Sequence, residues 1–154
     1  MIPTKLQYGI GSSTSSSYRA NLRTALTNLG ATVDMVGSVY SGPFADNQHE
    51  GHSGFTIDQI AGIARDGLAF RPNVVLLHAG TNDAVQNIDI GNAGRRVGAL
   101  IDQILSAVPQ ATVLVAAGII PSTNAGVQAN SNAINSQLAG KRKDDPFLHT
   151  YNAT

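Results

Sequence analysis

A chain of 154 residues that is 42% hydrophobic can bury a core of ordinary domain size without covalent staples. It contains no cysteine, which excludes a disulfide framework and any thiolate metal site. Ten basic and ten acidic side chains cancel, and no stretch gathers Lys or Arg densely, so neither nucleic acid nor an anionic membrane is an expected partner.

The N-terminus, Met1 to Lys5, has no apolar run of the signal-peptide kind, and no window approaches the roughly 20 apolar residues of a membrane-spanning helix. Residues 1–17 are expected to be irregular, with the serine-rich run Gly11 to Ser17 a loop by composition. From Tyr18 to Leu29, Leu22, Ala25, Leu26 and Leu29 fall on one helical face, and Gly30 can cap the end. Leu22, Leu26 and Leu29 should therefore be buried against a sheet. Ala31 to Gly37 is a weak strand pattern. Thr56 can cap a helix through Ile57, Ile60, Ala61 and Ala64. Asn73 to Ala79 and Ala111 to Ala117 are apolar, β-branched runs of the kind that helices bury on both faces. Between them, Val97, Leu100, Ile101, Ile104, Leu105 and Val108 stripe a helix that Pro109 ends. Asn124 to Leu138 is a helix of low propensity, rich in Asn and Ser. Residues 140–154 are expected to form a solvated, charged tail with a short apolar anchor. The alternation predicts an α/β fold with a parallel sheet, and one domain over residues 1–154.

Gly80-Thr81-Asn82-Asp83 follows the strongest strand directly, and open α/β sheets place their sites at the carboxyl ends of strands. An Asn there can aim an amide N–H at a developing oxyanion, and the preceding Gly allows the sharp turn that exposes it. The same four residues can also serve simply as the turn that ends a strand. His49 and His52, with Glu50 between them, lack the i, i+4 helical spacing of the zinc-hydrolase motif, and Gly51 and Gly54 argue for a loop, so no metal is assigned. His78, near the end of a buried strand, reads as a core histidine.

The run His78-Ala79-Gly80-Thr81-Asn82-Asp83 resembles the third sequence block of SGNH (GDSL-type) hydrolases. Val36-Gly37-Ser38 resembles their second block, and Tyr18-Arg19-Ala20-Asn21-Leu22 the helix after the first. His49-Glu50-Gly51-His52-Ser53-Gly54-Phe55-Thr56-Ile57 is similar to a loop of the family 3 carbohydrate esterases, which remove acetyl groups from xylan and related glycans. The resemblance implies a three-layer α/β/α sandwich of the flavodoxin-like SGNH type and an ester hydrolase without a cofactor, acting on an acetylated carbohydrate or small ester. It also implies an oxyanion hole from Gly37 and Asn82, with Asp83, His49 and His52 at the substrate. A secreted location is what the family suggests.

The family's first strand ends in Gly-Asp-Ser, whose Ser is the nucleophile. Register held through Tyr8-Gly9 puts Pro3, Thr4 and Lys5 at those positions. Lysine does not replace an activated serine in acyl transfer to water without a different mechanism. The family's general base comes from an Asp and a His three residues apart, after a fifth strand. Asp145 and His149 are four apart in the expected tail, and Ser12 and Ser13 lie near the missing nucleophile without a visible base. The fold is thus expected to be truncated at both ends, with a gap at the central strand that a homodimer or exchanged strand would fill, unless Met1 to Tyr8 forms a replacement strand despite Pro3. Two functions follow as expectations: an esterase with altered catalytic apparatus, or a non-catalytic glycan-binding domain or truncated esterase product.

Overall fold

Helices and strands alternate along the chain as the apolar pattern predicts. The structure is a computed structural model and describes residues 4–11, 17–116, 122–139 and 148–151, with side chains over 18–116 and 122–139. In chain order the elements are β1 (Thr4–Gly11), α1 (Ser17–Asn28), β2 (Val33–Val36), β3 (Val39–Tyr40), β4 (Gln48–His49), α2 (Ile57–Leu68), β5 (Val74–His78), α3 (Thr81–Gln86), α4 (Ala93–Ala107), β6 (Thr112–Ala116), α5 (Ala125–Ala139) and β7 (Leu148–Tyr151), with a 3-10 turn at Ile90–Asn92 before α4. Five strands form one sheet in the order β2-β1-β5-β6-β7, and every pairing is parallel. β3 and β4 make a separate antiparallel pair.

Three expectations change here. Thr4 and Lys5 pair with Val33 and Asp34 at the amino end of the sheet, while the other end of β1, Gly11, lies opposite His78. The strand-end position therefore belongs to Gly11 and not to Pro3-Thr4-Lys5, of which Pro3 lies outside the described residues. β1 carries two glycines and an irregularity between Tyr8 and Ile10, which break the alternation that marks a strand in sequence. Second, β1 is an interior strand, paired with β2 on one side and β5 on the other. No gap is left there for a partner's strand, which removes the reason for expecting strand exchange. Third, β7 lies inside the segment expected to be a tail, with His149 opposite Leu114 of β6.

The period of two along β5 and β6 sorts their side chains onto two faces. Val75, Leu77, Val113 and Val115 join Ile57, Ile60, Leu100, Ile104 and Ile134 from α2, α4 and α5 in one large apolar core. Val74 and Leu76 face the other way and pack with Leu22 and Leu26 of α1 against Val33 and Met35 of β2. Leu29, expected in that layer, is 84% exposed. α1 ends at Asn28, one residue short, and Leu29 falls in the turn closed by Gly30 at φ 86°.

Caps and cross-links explain the helices that propensity leaves weak. Gln59 Oε1 accepts the Thr56 N–H at 2.9 Å, which ties off the start of α2. Asn124 Oδ1 accepts the Gly126 and Val127 N–H groups at 3.0 and 3.1 Å at the start of α5. The polar residues of α5 then hold it in place: Asn130 Nδ2 donates to the Ala84 carbonyl, and Gln137 Nε2 to that of Ile90.

Candidate active site

Two loops at the carboxyl ends of the strands define the site. Gly37 follows β2 with φ 157°, and a Cβ placed there would lie 2.1 Å from the His49 carbonyl carbon. Only glycine lets the β4 backbone come this close. On the other side of β1, Gly80 adopts φ 112° at the start of α3, the left-handed conformation that turns the chain sharply out of β5 and presents Asn82. Asn82 is half-buried, and its Nδ2 donates to the Phe55 carbonyl at 2.8 Å. A primary amide carries two N–H groups, so this bond fixes the amide while leaving a second donor.

The neighbouring Asp83 is fully buried. Its Oδ2 accepts the Ile57 N–H at 2.9 Å, and its Oδ1 lies 2.7 Å from Arg96 Nη2. It binds the start of α2 to α4 through the guanidinium, which also reaches Asp58 at 3.2 Å. Expected at the substrate, Asp83 is instead enclosed in the frame that carries Asn82.

His49 and His52 separate in the same way. His49 is fully buried. Its Nδ1 accepts the Gly51 N–H at 2.9 Å, so the ring proton belongs on Nε2, which meets Ser41 Oγ at 2.7 Å. Arg19 Nη2 donates to the same hydroxyl at 2.8 Å. Burial first, and then the nearby Arg19 charge, push the His49 pKa down to about 4, which keeps the ring neutral. Asp46 and His49 have the three-residue spacing of the family's base, yet Asp46 is spent on the Met35 N–H and Arg23, and both His49 nitrogens are engaged. His52 is a quarter exposed, pairs with Glu50 at 2.9 Å and stacks on Phe55 with ring centroids 5.0 Å apart.

Of the remaining sequence candidates, Ser12, Ser13 and Asp145 lie outside the described residues, and His149 sits within β7 rather than after it. His78 ends β5. Its Nε2 has no hydrogen-bond partner among the described residues, and burial lowers its pKa. Sequence reasoning weighed Glu50 only as a metal ligand and missed its role. Glu50 is 1% exposed and accepts both the backbone N–H and the hydroxyl of Ser38, at 2.9 and 2.8 Å. An acidic residue set among Gly and His in an otherwise neutral loop was the available signal.

The sequence profile of the GDSL-like lipase/acylhydrolase family matches residues 9–153. Similar solved structures include a family 3 carbohydrate esterase of Clostridium thermocellum, 30% identical, with a TM-score of 0.81 over 98% of this chain and 78% of that one. A family 3 carbohydrate esterase from Talaromyces cellulolyticus is 26% identical, with a TM-score of 0.74 over 99% of this chain and 79% of that one. A mutant acetyl esterase with an acetate ion is 25% identical, with a TM-score of 0.71 over 99% and 79%. No curated protein sequence matches. The parallel sheet with its strand-end loops, and a profile match running through nearly the whole chain, make this protein a member of the GDSL-like lipase/acylhydrolase family, of SGNH fold and close to the family 3 carbohydrate esterases.

Proposed function

We propose that the chain is an ester hydrolase acting on acetylated carbohydrate, with Ser13 as nucleophile and with the Gly37 N–H and the Asn82 amide as oxyanion donors. The observation that carries this reading is the position of Gly11. β1 ends there as an interior strand, between β2, which leads to Gly37, and β5, which leads to Asn82. Gly11-Ser12-Ser13 then stands where the family has Gly-Asp-Ser, with Ser12 in place of the Asp. In the reaction, the serine oxygen attacks the acetyl carbonyl carbon and the two donors take the charge that develops on oxygen. The sugar alcohol leaves with a proton, and water releases acetate from the acyl-enzyme.

The serine's own proton requires a base within hydrogen-bond reach. In the family, that is the histidine of the Asp-x-x-His block. Asp145 and His149 are not assigned the role here, because their spacing is four and His149 is paired within β7. Acetate release from acetylated xylan and turnover of p-nitrophenyl acetate test the reading. Ser13→Ala should reduce both to background, while Ser12→Ala and Ser16→Ala should not. Retention of acetylated xylan without serine-dependent release of acetate would replace the esterase with a glycan-binding protein.

A further inference from the structure

We infer that Glu50 is a positioning residue that holds the two oxyanion donors in one frame, an inference that rests on the assignment of Gly37 and Asn82 just made. Its carboxylate is buried and touches neither donor, yet it is bonded toward both. Oε2 accepts the Ser38 N–H and Oε1 the Ser38 hydroxyl, at 2.9 and 2.8 Å. This pins the peptide that follows Gly37, while β2 pins the one that precedes it. In the other direction, Glu50 Oε1 lies 2.9 Å from His52 Nε2, and the His52 ring lies on that of Phe55. The Phe55 carbonyl holds Asn82 Nδ2 at 2.8 Å. Two residues on, the Ile57 N–H is held by Asp83, so the segment cannot slide relative to α3. Residues 50–55 thus form a strut with one end on the Gly37 turn and the other on the Asn82 amide.

Oxyanion donors act only when preorganised at the position the charged oxygen will take, and small misplacements in an active site are expensive in rate. A buried carboxylate with a merely structural role would lower stability when removed and leave kcat of the folded protein unchanged. A strut predicts something else: loss of Glu50 is felt at Asn82, on the far side of β1.

The test uses the full chain, with Glu50→Ala, Glu50→Gln, and the milder Ser38→Ala and His52→Ala, whose positions are exposed and partly exposed. Two quantities are read: the NMR shifts of the Gly37 backbone amide and the Asn82 side-chain amide, and the kcat and KM for p-nitrophenyl acetate. Glu50→Ala should move both amides and lower kcat by about 10- to 100-fold with little change in KM. Glu50→Gln, which still offers Ser38 an acceptor, should recover part of the loss. If Glu50→Ala does not fold, Ser38→Ala and His52→Ala should each shift the Asn82 side-chain amide. An Asn82 amide unmoved in every folded variant, or an unchanged kcat beside Ser13-dependent turnover, overturns the strut. A parent chain without Ser13-dependent turnover overturns the oxyanion assignment instead, and the amide shifts still decide whether Glu50 couples the two loops.

Discussion

The two faces of the sheet are held together by different means. Among the described residues, one carries nineteen buried apolar residues from α2, α3, α4, α5, β5, β6 and the turns beside them. On the other, the described buried apolar residues are Val33 and Met35, with partly buried neighbours. Beyond that pair, the region running from α1 through β4 is fastened by polar side chains acting on backbone. Arg19 Nη1 and Nη2 donate to the Asn47 and Ser41 carbonyls, both at 3.0 Å, and Asp46 accepts the Met35 N–H at 3.0 Å. The apolar face is held by burial, which is non-directional, whereas each bond of the polar region depends on one partner in one geometry. The candidate site lies where the two meet: Asn82 is mounted beside the apolar core and Gly37 beside the polar cluster.

Substitutions should expose that contrast, the largest effects first. Ile104 is fully buried in the large core, so Ile104→Ala should cost about 2 to 5 kcal/mol in urea unfolding. A loss as small as a surface change would show that the core does not carry this side of the molecule.

Acid should act selectively on the polar region. The His49 pKa falls from 6.5 to about 4 in the folded protein, so between those values the unfolded chain takes up a proton that the folded one refuses. Stability therefore declines as pH falls from about 6.5 toward 4, by up to about 3 kcal/mol at 1.36 kcal/mol per unit. His78 is shifted the same way by burial and adds to the slope. Urea midpoints at pH 7 and pH 5 measure the decline, and His49→Gln should flatten it. A slope unchanged by that substitution would deny the buried, neutral His49.

Glycines divide by region as well. Gly37→Ala would drive a methyl group into the His49 backbone and should destabilise by about 1 to 3 kcal/mol or more. Gly62→Ala, in α2 where a methyl group meets nothing within 4 Å, should stabilise by about 0.5 to 1 kcal/mol. Thermal melts compare the two, and the expected shifts have opposite signs. Leu26→Ala in half-buried α1 should cost only about 1 kcal/mol. A loss equal to that of Ile104→Ala would mean that the two faces are built alike.

The same division explains what could be read from sequence. α2, α4, β5 and β6 were legible because their apolar periods are strong, and their observed bounds lie within a few residues of the expected ones for all but the start of α4. β1 and β7 were not. Lys5, Gln7, Gly9 and Gly11 interrupt the first, and His149 and Thr150 the second, and both become strands by pairing with neighbours already in place. At the site, Asn82 was legible as a polar turn after an apolar strand. The work of Asp83 was not, because its partners Ile57 and Arg96 are brought to it only by the fold. His49 and His52 look alike in sequence, and only their surroundings make one a buried hydrogen-bonding post and the other a half-exposed ring.

The proposal that Ser13, two residues beyond the end of β1, is the nucleophile, and not Lys5, can be tested without reference to substrate. Covalent labelling tests it most directly. The purified chain is treated with a p-nitrophenyl phosphonate ester, which transfers its phosphonyl group to an activated serine with release of p-nitrophenol, and the labelled peptide is located by mass spectrometry. One adduct is expected, on Ser13, lost in Ser13→Ala and slowed in Asn82→Ala. Labelling of a different residue, or labelling indifferent to both substitutions, would contradict it.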